Sequence, residues 1–284
     1  MEKLKIVLPK GHLFDSIFKL FLDAGYNIKL NGREYKPYVS DPGLDIKIMK
    51  PQNIPKLIEL GSHDLGFTGY DWIVETNASV TEILDLKTDP VRLVAAIPDS
   101  LSMSTLKNKR IVVASEYETI ATTYLDQNGF DYIFLRTYGA TEVFPPDDAD
   151  MIIDNTSTGR TLMENKLKIV DTILSSTTRM IINSNISPNS QKMKKITELK
   201  LLFQSILDAR DRVMLEMNIP SDKLDTIVPV LPCMQAPTVS SLVGNSGYAI
   251  KIAVKKSEIP SLIPKLKAMG ARDILEYNFR KVVL

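Results

Sequence analysis

The sequence holds one cysteine, Cys233, two histidines, His12 and His63, and one tryptophan in 284 residues. A lone cysteine excludes an internal disulfide framework and any zinc site built on paired thiolates, and two histidines cannot supply a histidine-rich metal centre. Cys233 is expected to pack, and His63 to lie at a helix end or the surface. Charge of one sign is missing too: 35 basic against 34 acidic side chains leave a net charge of +1. No global signal for nucleic acid or a membrane surface follows, so any anion site must be local. No uninterrupted apolar run approaches the ~20 residues that cross a bilayer. The opening Met1 to Lys10 is too briefly apolar for a signal peptide. The expected location is the cytoplasm.

What is present is an ordinary globular composition, 44% hydrophobic, long enough for a sizeable core and two or three domains. The most informative stretch is Asp150 to Leu162. Met151, Ile152 and Ile153 read as a buried strand ending at the carboxylate of Asp154, and Leu162, Met163 and Leu167 recur at helical spacing beyond it. Between them Thr156, Ser157, Thr158 and Thr161 form a hydroxyl-rich turn around Gly159. A helix start offers unpaired N–H groups, the hydroxyls add donors, and glycine lets backbone approach an anion. A phosphate monoester would fit, with Asp154 accepting from sugar hydroxyls or holding a metal ion. Taken alone, the stretch also reads as a strand-to-helix turn with a threonine cap.

Along the chain, Leu4 to Leu8 reads as a strand, Pro9-Lys10-Gly11-His12 as a turn, and Leu13, Phe14, Ile17, Phe18, Phe21 and Leu22 as one face of a helix stopped by Gly25. Lys10 there either meets a pyrophosphate, with Gly11 opening the backbone, or is a solvated lysine. Residues 26–52 read as short strands and turns, and Asn53 to Leu60 as a helix. Leu65 to Gly69 reads as a buried strand whose Gly66 and Gly69 either bare the backbone to a ligand, beside the Thr68 hydroxyl, or permit close strand–helix packing. Val91 to Pro98 is expected to cross into a second lobe. There the α/β pattern restarts with a strand at Lys109 to Ala114, a helix at Thr119 to Asn128 and a strand at Tyr132 to Arg136. Ile169 to Leu174 and Arg179 to Ile182 read as strands returning to the first lobe, and Ile196 to Leu207 carries a helical stripe. From Val213 the order is βαββαβ, which is ferredoxin-like. The expected fold is therefore α/β: a two-lobed, type II periplasmic-binding-protein-like region with its ligand between the lobes, then an ACT-like, ferredoxin-like domain.

Asp154, Thr158, Gly159, Thr161 and Leu162 resemble the Asp-x-x-x-Thr-Gly-x-Thr-Leu form of the phosphoribosyl-diphosphate (PRPP) loop in ATP phosphoribosyltransferases. Pro9-Lys10-Gly11-His12-Leu13 resembles the family's opening, with His12 where arginine is usual. Asp64 to Gly69 resembles its cleft-lining Asp-Leu-Gly-Ile-Thr-Gly segment. Ser115-Glu116-Tyr117 and Gly139-Ala140-Thr141-Glu142 resemble the family at matching places, although Glu142 also reads as a helix cap and Asp147-Asp148-Ala149 departs from the commoner glycine-containing signature. Leu231 to Val239 and Gly270 to Leu275 resemble the C-terminal domain of the long-form enzymes, with Cys233 in place of a more usual glycine.

The resemblance covers nearly the whole chain, and it implies transfer of the 5-phosphoribosyl group of PRPP to N1 of ATP with Mg²⁺, the first step of histidine biosynthesis, inhibited by L-histidine in a homodimer or homohexamer. It implies that Asp154 and Lys10 are catalytic and that Asp154, Asn155, Thr156, Ser157, Thr158, Gly159, Arg160 and Thr161 bind PRPP. Gly11, Asp64, Gly66, Thr68, Gly69, Glu116, Tyr117 and Glu142 would line the ATP cleft, and Asp154 and Glu142 are candidate metal ligands. The expected domains are residues 1–94 with 178–210 as lobe I, 95–177 as lobe II with the PRPP loop, and 211–284 as a histidine-sensing domain. A non-catalytic regulatory subunit and a two-lobed small-molecule-binding protein remain the alternatives.

Overall fold

The computed structural model describes residues 2–30 and 35–284; residues 31–34 of the expected strand-and-turn stretch lie outside the described residues. Two compact units emerge, Met1–Thr197 and Glu198–Leu284.

In the first unit β1 (Leu4–Pro9) turns at Gly11 into α1 (His12–Ala24), which buries Leu13, Ile17, Leu20 and Phe21 at helical spacing. Gly25 ends α1 in the left-handed region at φ 101°, a conformation that favours glycine. The chain continues through the short pair β2 (Ile28–Lys29) and β3 (Tyr38–Val39), then β4 (Leu44–Met49), α2 (Ile54–Glu59), β5 (Leu65–Gly69), α3 (Tyr70–Thr76) and β6 (Val80–Asp85). It goes on through β7 (Val91–Pro98), α4 (Met103–Lys107), β8 (Ile111–Ser115), α5 (Glu118–Gln127), β9 (Tyr132–Arg136), β10 (Met151–Thr156), α6 (Arg160–Glu164), β11 (Leu167–Ser176), β12 (Thr178–Asn183) and α7 (Gln191–Arg210), within which the units divide.

Two five-stranded sheets result, in the orders β4-β1-β5-β12-β6 and β9-β8-β10-β7-β11. The orders are equivalent. Each sheet has parallel neighbours on one side and one antiparallel strand between its third and fourth local strands. In the first sheet that strand is β12, arriving from the second lobe, and in the second it is β7, arriving from the first. This reciprocal exchange defines the type II periplasmic-binding-protein arrangement, as the fold-class expectation has it.

Two expectations are corrected. Ile169 to Leu174 does not return to the first lobe: it lies in β11, the edge of the second sheet, antiparallel to β7. Only β12 makes the return. The strand carrying Asp154 also does not end there, because Asp154, Asn155 and Thr156 pair with Val94, Leu93 and Arg92 of β7. The ladder runs two residues further than the apolar run.

α3 serves both lobes. Trp72 is buried with the second-lobe residues Val113, Tyr117 and Ile153, with Val74 packed against that cluster, whereas Ile73 is buried with Val7, Ile54 and Ile181 of the first lobe.

In the second unit, β13 (Arg212–Ile219), α8 (Leu224–Ile227), β14 (Thr238–Ser241), β15 (Tyr248–Lys255), α9 (Ile259–Ala268) and β16 (Arg272–Asn278) follow in order. The antiparallel sheet runs β14-β15-β13-β16, which is the ferredoxin-like order. Strict alternation along β13 turns Val213, Leu215, Met217 and Ile219 into a core with Leu262 and Leu266 of α9. The first helix of the expected βαββαβ order is one short α-turn flanked by 3₁₀ turns over Ser221–Val230. Among the described residues no helix is long and apolar enough to cross a membrane.

Candidate active site

Parallel strands present their carboxyl ends on one edge, where ligands of open α/β sheets bind. In the first sheet Pro9 and Met49 are paired neighbours, so Lys10 and Lys50, the next residues, leave adjacent strand ends. In the second sheet β8, β9 and β10 end at Ser115, Arg136 and Thr156, which places Glu116, Thr137 and the hydroxyl turn on its corresponding edge. Residues from both edges line a cavity of about 410 Å³: Lys50, Gln52 and Lys56 from the first, Glu116, Arg136 and Tyr138 from the second, with Trp72 between them.

Asp154 is largely withdrawn from solvent. Burial foremost, with the charges of Glu116 and Glu142 acting in the same direction, pushes its carboxyl up to about 6 despite hydrogen bonds from the Asn155 N–H and from Thr141. This brings Asp154, Glu116 and Glu142 into one electrostatic neighbourhood.

The hydroxyl turn is pre-folded on itself. Thr156 Oγ1 accepts from Gly159 N–H at 2.9 Å and Thr158 Oγ1 accepts from Arg160 N–H at 3.3 Å. Both hydroxyl protons stay available to an incoming acceptor. Gly159 sits at φ 79°, a left-handed position that a β-carbon would strain. Ser157, Thr158 and Thr161 are exposed, and Arg160 pairs with Glu164 at 2.8 Å. α6 has only five residues, so its dipole is small and the loop's own donors carry the anion-binding capacity.

Asn155 donates from Nδ2 to the Tyr117 hydroxyl at 2.8 Å, and that hydroxyl donates to Asp71 Oδ2 at 2.6 Å. Ser176 Oγ donates to Asp71 Oδ1 at 2.6 Å. Trp72 stacks on Tyr117 with ring centroids 4.4 Å apart. Burial, then the Asp71 carboxylate, pushes the Tyr117 hydroxyl far above the usual phenol range, so it stays a proton donor. Glu75, four residues beyond Asp71, accepts from the N–H groups of Thr119 and Ile120, both at 3.0 Å, at the start of α5.

Several expected cleft residues have other roles. Tyr117 is 0% exposed and locks the lobes together rather than facing a ligand. Asp64 precedes β5, at the amino edge of the sheet, where it binds the Lys5 N–H at 2.8 Å and the Lys192 ammonium at 2.9 Å. Gly66 faces α2: a β-carbon there would stand 2.7 Å from Ile54 Cγ2. At Gly69 a β-carbon would collide with the Asp71 carboxylate. Thr68 is buried and its hydroxyl donates to Pro51 O at 3.0 Å, holding the segment that follows Lys50. Gly11 is open to solvent at φ 88°, so it serves the turn's backbone. The Lys10 ammonium lies 5.6 Å from the Tyr35 ring centroid. Exposed His12 opens α1.

Lys50, Gln52, Lys56, Arg136 and Tyr138 are absent from the expected set. The turn signal Lys50-Pro51 after an alternating strand matches Pro9-Lys10-Gly11 and could have located Lys50; nothing local marks the others. Gln52 Oε1 is buried with no hydrogen-bond partner among the described residues, a state that costs about 1–3 kcal/mol until a donor arrives. Among the described residues no group of three or more His, Cys, Asp or Glu side chains is arranged to hold a metal ion.

Fold and site together define a two-lobed α/β protein with a cavity lined by cations from both lobes and, at a carboxyl sheet edge, a hydroxyl-rich turn beside a half-buried carboxylate, followed by a ferredoxin-like domain. Residues 50–204 match the family model described as "ATP phosphoribosyltransferase", and residues 209–281 that described as "HisG, C-terminal domain". An ATP phosphoribosyltransferase of Pelotomaculum thermopropionicum is 40% identical over 289 residues, covering 99% of both chains. Another, from Chlorobium phaeobacteroides, is 40% identical over 99% of this chain and 97% of that one. The solved ATP phosphoribosyl transferase (HisG:HisZ) complex from Thermotoga maritima shares the fold, with a TM-score of 0.63 at 23% identity over 71% of this chain and 98% of that chain. The chain belongs to the ATP phosphoribosyltransferase family, transferases that open histidine biosynthesis and generally use a divalent metal ion.

Proposed function

We propose that the cleft joins the 5-phosphoribosyl group of PRPP to N1 of ATP and releases pyrophosphate. The observation that carries the residue assignment is half-buried Asp154 beside a pre-folded turn of free hydroxyl protons at a carboxyl sheet edge. Thr156 to Thr161 hold the 5-phosphate, and Asp154 accepts from the ribose hydroxyls. As the bond from C1 to the pyrophosphate oxygen breaks, the ionised Asp154 stabilises the cationic sugar, and the N1 lone pair forms the new bond. No side chain has to remove a proton from N1 first. Lys10 and Lys50, on adjacent strand ends, offset charge on the departing pyrophosphate. Asp154 or Glu142 would hold Mg²⁺, which when bound would supply further positive charge beside the phosphates; one or two carboxylates is the ordinary protein share of such a site. ATP occupies the cavity of Lys50, Gln52 and Arg136.

Residues 1–94 with 178–210 then form lobe I, 95–177 lobe II, and 211–284 the domain through which L-histidine inhibits a cytoplasmic homodimer or homohexamer. That C-terminal family match supports long-form organisation. Asp154→Asn and Thr161→Val test the assignment: each should lower kcat by roughly 10²–10³-fold, the worth of one preorganised transition-state group, while the melting temperature does not fall. Near-wild-type turnover by either would sink the placement of PRPP.

A further inference from the structure

We infer that Gln52 reads the adenine of ATP along its N6/N7 edge, which leaves N1 free to attack; the inference rests on the proposed ATP site. The cavity is lined by aromatic, amide and cationic groups together. Trp72 and Tyr138 offer ring faces, Lys50, Lys56 and Arg136 offer positive charge, and Gln52 and Asn53 offer amides. Tyr138, 87% exposed, leaves its ring face open to a ligand. Among the cavity's polar side chains, Gln52 holds a buried oxygen, Oε1, with no hydrogen-bond partner. Turning its amide into the cavity therefore breaks no hydrogen bond at that oxygen.

A glutamine amide can match adenine bidentately at N6–H with N7 or at N6–H with N1, and only the first, with the oxygen accepting from N6–H and the nitrogen donating to N7, leaves N1 free to react. That edge lies away from N1, so recognition and chemistry use different sides of the ring. Guanine presents acceptors at both positions, O6 and N7, and would meet the glutamine oxygen with another oxygen. As N1 bonds to the sugar, the positive charge it acquires is shared with N6, so the N6–H to Oε1 bond strengthens as the reaction proceeds. Gln52 thus contributes to specificity and to the barrier.

The test pairs a change in the protein with a change in one atom of the substrate. Pyrophosphate release is measured at saturating PRPP and Mg²⁺ for wild type, Gln52→Leu and Gln52→Glu, each with ATP and with 7-deaza-ATP, in which N7 is replaced by C–H. Wild type should lose roughly tenfold to hundredfold in kcat/KM when N7 is removed. Gln52→Leu should show a loss of that order on ATP and little further loss on 7-deaza-ATP. Gln52→Glu, which keeps the acceptor for N6 but opposes the N7 lone pair, should prefer 7-deaza-ATP to ATP. Comparing ratios cancels any effect of the deaza substitution on N1 itself. The same fold loss on removing N7 in all three proteins would overturn the inference while leaving the transferase intact. A wild-type chain inactive on ATP would instead overturn the proposed function and this inference with it. Folding of each variant is checked by its melting curve, and the opposite sign expected for Gln52→Glu keeps the test decisive if Gln52→Leu is unstable.

Discussion

At the scale of single residues Asp154 carries the most consequences for stability and chemistry alike. Its carboxyl titrates near 6 rather than at the usual 3.8, so between those values the native chain holds a proton that the unfolded chain has lost. Stability therefore declines as pH rises through that window, and the penalty is complete above about 6. Asp154→Asn should melt above wild type at pH 7 and match it near pH 4, which differential scanning calorimetry at the two pH values would show. Activity runs the other way, because only the ionised carboxylate stabilises a cationic sugar. A kcat profile should rise through pH 6 in the wild type and lose that inflection in Asp154→Asn. The Asp154 turn was legible because residue types alone carry it: a carboxylate, hydroxyls and one glycine at fixed spacing. Asp64 was misread because a carboxylate beside a buried strand serves either edge of the sheet, and strand direction decides which. Gly66 and Gly69 were ambiguous for a related reason, since a missing β-carbon makes room equally for a ligand or for Ile54.

At the scale of elements, α3 decides how the lobes are held. Asp71, Trp72 and Glu75 lie on this seven-residue helix, and each engages the second lobe: Asp71 and Trp72 through Tyr117, Glu75 through the start of α5. Tyr117→Phe removes the hydroxyl between Asp71 and Asn155 and leaves a buried carboxylate oxygen short of a donor. A loss of about 1–3 kcal/mol is expected, read by urea denaturation, together with a raised KM for PRPP because Asn155 leads into the turn proposed to hold the 5-phosphate. An unchanged midpoint and KM would contradict the latch. None of this was visible in Ser115-Glu116-Tyr117, because an aromatic residue after a strand reads as a cleft residue until its hydrogen-bond partners 38 and 46 residues away are known. β11 shows the same limit: its apolar and polar residues fit either sheet, and only pairing with β7 assigns it.

At the scale of the whole molecule, the order of elements was largely legible, since restarting α/β units and a terminal βαββαβ run are patterns of sequence. The equivalence of the two sheets was not: the crossings of β7 and β12 were expected, but their antiparallel insertion at matching places in the strand orders emerges only from the pairing. Cations at the cleft were hidden likewise: Lys50 and Arg136 matter only once parallel pairing sets their strand ends on the facing edges. The central claim is that this cleft couples ATP to PRPP and that the C-terminal unit senses histidine. The most direct measurement mixes the purified chain with ATP, PRPP and Mg²⁺ and follows pyrophosphate release and the nucleotide product, with and without L-histidine. The account predicts a product ribosylated at N1 of ATP whose formation histidine suppresses. PRPP binding without that product would contradict the catalytic assignment, and product formation indifferent to histidine would contradict the role given to residues 211–284.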